Sequence, residues 1–126
     1  MNGRRERLLV YGTLRVGGVN GQLMSAAKHI RAAQTAPLYE LVSLGWYPAL
    51  CEPGQTAVAG DLFEVPEPLW RELDAYEDCP NLYTCRPVKL ADGAVAHAYF
   101  LNGPPPADAP RIESGDWLSH RSERST

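Results

Sequence analysis

An α+β fold built on a mainly antiparallel, barrel-like sheet is predicted by three features of the sequence. A strand-length apolar run near the N-terminus is broken by Gly12, a proline-led amphipathic segment occupies mid-chain, and two strand-like runs flank Asp92-Gly93. At 126 residues, with 44% hydrophobic and 21% charged, the chain has the size and balance of one domain spanning 1–126.

The first run, Arg7 to Tyr11, reads as a buried strand, and Gly12 ends it by permitting a sharp turn, so that Tyr11-Gly12-Thr13-Leu14 lies at a strand end. After a loop rich in glycine (Gly17, Gly18, Gly21), the composition and apolar spacing of Gln22 to Ala33 predict a helix. Leu38 to Leu44 reads as a strand closed by Gly45-Trp46-Tyr47-Pro48. A turn at Pro53-Gly54 leads into a strand over Ala57 to Val65.

The segment from Pro66 to Glu77 is the clearest helix. Proline suits its first turn, Glu67 lies near the positive end of the dipole, and Asp78-Cys79-Pro80-Asn81 closes it. Thr84 to Ala91 and Ala94 to Leu101 form a hairpin around Asp92-Gly93. The proline-rich stretch from Asn102 to Pro110 is a loop, and the polar residues 118–126 read as a frayed tail anchored by Trp117. Trp46 and Trp70 read as core residues.

A net charge of −3 supplies no basic field for nucleic acid, and no apolar run reaches the roughly 20 residues of a membrane helix. Neither is expected as a partner. Three irregularly spaced cysteines (Cys51, Cys79, Cys85) fit neither a disulfide framework nor a zinc site and point to reduced thiols in a cytoplasmic protein. His29, His97 and His120 lack ligand spacing, so no metal is expected. No phosphate-binding glycine motif is present.

One carboxylate falls out of pattern. At about 100° per residue, Leu69, Trp70, Leu73 and Tyr76 share an arc of the second helix, and Glu77 falls within it while Glu67, Arg71 and Glu72 project elsewhere. An acid held against apolar groups has a raised pKa and suits proton transfer near neutral pH. Periodicity alone leaves a second outcome level with this one, in which the helix end frays and Glu77 turns to solvent or pairs with Arg86.

Taken in order, Tyr11-Gly12-Thr13-Leu14, Gly45-Trp46-Tyr47-Pro48-Ala49-Leu50, Gly60-Asp61-Leu62-Phe63-Glu64-Val65, Leu73-Asp74-Ala75-Tyr76-Glu77, Tyr83 and Ala98-Tyr99 resemble the γ-glutamylcyclotransferase-like superfamily over nearly the whole chain. The stretch from Leu73 to Tyr83 is most similar to γ-glutamylamine cyclotransferases, and the segment from Ile112 to Leu118 to small bacterial members. The resemblance implies a β-barrel flanked by helices, no cofactor, and release of 5-oxoproline from a small-molecule γ-glutamyl substrate. A monomer or weak homodimer is expected, though no residue pattern fixes the oligomeric state. The resemblance maps the family's catalytic glutamate onto Glu77. The loop of Tyr11, Gly12, Thr13 and Leu14 would then bind substrate, helped by Tyr83 and by Tyr99, whose hydroxyl either reaches the pocket or is satisfied by backbone.

One departure stands out, because many members carry arginine two positions after the tyrosine matched by Tyr83, where this chain has Cys85 followed by Arg86. Neighbouring strand residues face opposite ways, which argues against simple replacement by Arg86. Two other readings compete with the cyclotransferase. One is a non-catalytic metabolite-binding member of the fold, and the other a cysteine-dependent amidohydrolase using Cys79 or Cys85 with His97.

Overall fold

The computed structural model describes residues 5–124, with side chains through residue 120. Seven strands form one sheet: β1 (Arg7–Val10), β2 (Lys28–Gln34), β3 (Tyr39–Ser43), β4 (Pro48–Thr56), β5 (Ala59–Glu64), β6 (Tyr83–Lys89) and β7 (Val95–Leu101). Two α-helices accompany it, α1 (Glu67–Tyr76) and α2 (Trp117–Arg124). The strand path is β2-β5-β1-β7-β4-β3, with β6 paired to β7 off that path. Because β2 and β3 end the path without pairing to each other, the sheet is not closed, which refines the barrel expectation within the α+β class.

Four of the strand pairs, β1/β5, β2/β5, β3/β4 and β6/β7, are antiparallel. The parallel contacts are single points, Leu8 with His97 and Leu50 with Phe100. Since β6 occupies one edge of β7 for its whole length, β1 and β4 share the other edge. The ends of β1 and β4 are thereby brought close together, and the site lies there. Pro87 is tolerated within β6 because that strand is an edge, where a missing N–H costs no ladder bond.

Alternation of side chains divides the core into two layers. Leu8, Val10, Phe63, Val65 and Tyr99 pack under α1 with Leu69, Trp70 and Leu73. On the opposite face Leu9, Tyr11, Leu62, Ala98 and Phe100 pack with Ile112 and Trp117. Helix α1 ends in a defined cap: Asp78 N–H donates to Ala75 O at 3.1 Å and Cys79 N–H to Asp74 O at 2.8 Å, with Asp78 itself at φ 52°. Aspartate tolerates that left-handed position better than most residues, so the chain turns there without fraying.

The segment expected as a helix over 22–33 is instead a short 3-10 helix, Gly21–Met24, followed by β2. Pairing decided this against local propensity. The free edge of β5 offers a ladder to Lys28–Gln34, His29 packs edge-on against Phe63 at 5.1 Å, and a register shift leaves Ile30 bulged out between His29 and Arg31. The Pro53-Gly54 turn is an excursion inside β4: Glu40 pairs with Cys51 but its neighbour Tyr39 with Thr56, so residues 52–55 loop out.

The polar tail, read as frayed, forms α2 as far as Arg124, and residues 125–126 lie outside the described part. Trp117 docks that helix, 1% exposed and stacked on His120 at 5.7 Å. Among the described residues no helix is long and apolar enough to cross a membrane, and the three cysteines are free. Trp117→Ala, which removes a fully buried indole, is expected to lower the unfolding free energy by about 3–5 kcal/mol, measurable by urea denaturation.

Candidate active site

A cavity of about 560 Å³ opens between the end of β1, the turn from β3 to β4, and the end of α1. It is lined by Tyr11, Gly12, Thr13, Leu14, Glu77, Tyr83 and Tyr99, so the residues that the resemblance singled out share one space, while Cys79, Cys85 and His97 lie outside it. Val19, Asn20, Trp46, Tyr47, Pro48 and Tyr76 contribute to the rest of the wall.

Gly12 is required here by close approach rather than by an unusual backbone angle. A Cβ on it would stand 2.7 Å from Pro48 Cγ and 2.8 Å from Cδ, well inside van der Waals contact. The first-strand loop and the Gly45–Pro48 turn are thus two halves of one wall. The loop is folded on itself by Arg15 N–H to Gly12 O (3.1 Å) and Asn20 N–H to Thr13 O (2.9 Å). Among the described residues the N–H groups of Gly12, Thr13 and Leu14 have no acceptor.

Beneath this loop lies a group of charges that sequence reasoning missed. Asp61, buried on β5, accepts from Arg15 Nε at 3.2 Å and from Val16 N–H at 3.1 Å, and meets His29 Nε2 at 3.1 Å. Arg15 also donates to Asp116 at 3.2 Å. Forty-six residues separate Arg15 from Asp61, and no local pattern announces such a pair.

Glu77 caps α1, its N–H donating to Leu73 O at 2.9 Å. The capped turn fixes its direction, and its carboxyl faces the phenols of Tyr11 and Tyr83, both of whose pKa values its charge helps to raise. Burial pushes the Glu77 carboxyl up from 4.5 to about 7. Arg86 does not pair with it. That guanidinium lies 4.2 Å over the Phe100 ring and bonds Glu52 at 2.8 Å.

The tyrosine hydroxyls are engaged elsewhere. Tyr11 donates to Tyr99 O at 2.6 Å and accepts from Leu50 N–H, while Tyr83 donates to Pro48 O at 2.9 Å. Tyr99 donates to the Asp74 carboxylate at 2.6 Å, a side chain rather than backbone. Burial foremost, and the charges or bonds beside them, hold Tyr83 and Tyr99 far above the usual phenol range. The Thr13 hydroxyl shares a 2.7 Å bond with that of Tyr76, which also accepts from Asn20 at 2.8 Å. Tyr76, read as part of the helix's apolar arc, is instead the outer latch of the loop.

Arg5 clamps Asp74 through two bonds, of 2.9 and 3.1 Å, and lies 4.3 Å over the Trp70 ring. Burial alone would raise the Asp74 pKa, but the bonds from Arg5 and Tyr99 together hold it below the usual carboxylate range. Arg5 also reaches the Cys85 thiol, so a guanidinium does stand on the Cys85 face, supplied from the N-terminus and not by Arg86.

Residues 8–119 match the family model described as gamma-glutamyl cyclotransferase, AIG2-like. The chain belongs to this gamma-glutamyl cyclotransferase family. A Vibrio cholerae protein provisionally named a gamma-glutamylcyclotransferase is 34% identical over 110 residues, 87% of this chain and 93% of its own. The Bos taurus gamma-glutamylaminecyclotransferase is 37% identical over 91 residues, 65% of this chain and 54% of its own. The crystal structure of an AIG2-like protein from Mus musculus superposes with a TM-score of 0.76 at 29% identity, covering 88% of each chain.

In this member of the gamma-glutamyl cyclotransferase family, the Gly12–Pro48 contact can be tested directly. Gly12→Ala is expected to cost about 1–3 kcal/mol through overpacking. Adding Pro48→Ala, which removes both crowding atoms, should recover most of that loss, and denaturation of the two single variants and the double variant measures the coupling.

Proposed function

We propose that the protein releases 5-oxoproline from a γ-glutamyl amine or dipeptide, with Glu77 as general acid and base. The observation that carries this reading is that Glu77, a carboxyl whose pKa burial raises, lines the same cavity as residues 12–14, whose N–H groups have no acceptor among the described residues. Membership of the family and the name of the Bos taurus relative support the substrate class.

In the proposed reaction the substrate's α-amine attacks its own γ-amide carbonyl carbon. A C–N bond forms, the oxygen gains charge, and the original amide C–N bond then breaks to expel an amine. No water is consumed. Glu77 takes a proton from the α-nitrogen and delivers it to the departing nitrogen, and the N–H groups of residues 12–14 receive either the substrate's carboxylate or the developing oxyanion. Folding the substrate into this geometry contributes on the order of 7–11 kcal/mol in favourable intramolecular cases.

A thiol mechanism finds less support. Burial pushes the Cys85 thiol up to about 11, away from the thiolate a nucleophile needs, and neither Cys79 nor Cys85 lines the cavity.

Incubation of the pure protein with γ-glutamyl amines and dipeptides, with 5-oxoproline detected by mass, tests the reading. Release from none would leave a binding module. Glu77→Gln should lower kcat/KM by about 10²–10⁴-fold, and wild-type kcat/KM should rise with pH to a plateau above about 7.

The same group sets a stability trend of known sign. Between about 4.5 and 7 the folded protein retains a proton that the unfolded chain has lost, so stability falls as pH rises through that window. The fall is on the order of 3 kcal/mol. Glu77→Gln should flatten it and unfold at higher urea than wild type at pH 8, even as activity is lost.

A further inference from the structure

Resting on the cyclotransferase reading, the direction in which the substrate lies can be taken from the exposure of the cavity walls. The floor is dry: Tyr83 is 3% exposed and Tyr99 2%. The rim is open, with Trp46 81% exposed, Val19 63% and Tyr47 39%. Glu77 and the free N–H groups act on the glutamyl half, so the departing amine points outward, between the turn carrying Trp46 and the loop carrying Val19.

Two features of that rim restrict the amine. First, among the described residues no lysine, arginine or histidine lines the cavity, and its one charged group is Glu77. A leaving group bearing its own carboxylate, as every γ-glutamyl α-amino acid does, would meet no cation there and would face an acid of the same sign. Arg5, Arg15 and Arg86 are each committed to carboxylates away from the cavity wall. Second, the rim presents an indole, a phenol ring and a valine to solvent, whereas the other two tryptophans, Trp70 and Trp117, are buried. An exposed indole at a cavity mouth is apolar surface for a flat substrate group to cover.

A cationic tail would be drawn to the same ring. It would also lie near Glu77 and pull that carboxyl's pKa back down, weakening the base that the reaction needs.

We infer that this protein is selective for γ-glutamyl derivatives of uncharged aromatic amines, with Trp46 as the stacking platform for the departing amine. Trp46 is then the specificity-determining residue of the site, while Glu77 and the 11–14 loop serve any γ-glutamyl compound.

A matched set of substrates tests this: the γ-glutamyl amides of phenethylamine, phenylalanine, 1,4-diaminobutane and methylamine, assayed for 5-oxoproline. Phenethylamine and phenylalanine differ only by the carboxylate. The expected result is a kcat/KM for the phenethylamide at least about 10-fold above that for the phenylalanine and diaminobutane compounds. The ratio of phenethylamide to methylamide should fall at least about 5-fold in Trp46→Ala, mainly through KM, and recover in Trp46→Phe.

Equal rates on the phenethylamine and phenylalanine compounds, a faster diaminobutane compound, or an unchanged ratio in Trp46→Ala would overturn the inference and leave the cyclotransferase reading standing. Release from none of the four overturns both.

Discussion

The site depends on one electrostatic constraint: the carboxyl of Glu77 is partly withdrawn from water without being given a cation. Burial alone raises its pKa to about 7, and a single nearby guanidinium would reverse that shift. Its surroundings show how this is avoided. Arg5 is bound twice by Asp74 and held over Trp70, Arg15 is shared between Asp61 and Asp116, and Arg86 is drawn to Glu52 and Phe100. Each cation is occupied by an acid that is not Glu77.

These pairs also set the shape of the cavity. Arg15 and Asp61 fasten the loop after β1 from below, Tyr76 and Asn20 latch it from outside, and Gly12 lies flush on Pro48. Asp74, three residues before Glu77, receives Tyr99, whose own carbonyl receives Tyr11. The rings of Tyr11, Tyr83 and Tyr99 line the cavity while their hydroxyls are spent on its frame.

How far the sequence revealed this follows the range of the interactions. The position of Glu77 was legible because helix periodicity is local, and the hairpin was legible because its turn signal is local too, although Leu90 bonds Ala94 across three residues, 91–93, with Gly93 at φ 92°, and not across the two expected. Its reliability as a fixed group was not, since that rests on the cap formed by Ala75, Asp74 and the left-handed Asp78. Residues 28–34 became a strand because β5 had an open edge, information absent from the segment itself. Arg5 with Asp74 and Arg15 with Asp61 span 69 and 46 residues and carry no motif. Trp46 misled in the opposite way, since an indole beside Pro48 reads as core until the turn is seen to project it outward.

The value near 7 follows from the two jobs the proposed reaction assigns to one group. A proton acceptor must be ionised to begin, and the same carboxyl must then be acidic enough to release its proton to the leaving nitrogen. Each unit of pKa is about 1.4 kcal/mol between the two forms. Left in solvent at its ordinary value, Glu77 would be ionised but a weak acceptor, while much deeper burial would leave it protonated at neutral pH. Partial burial against Tyr11 and Tyr83, with no cation at hand, falls between those failures. In the proposed reaction, backbone N–H groups of residues 12–14 would suit this better than arginine, because they hold an oxyanion through partial charges too small and too directional to drag the acid back to its solution pKa.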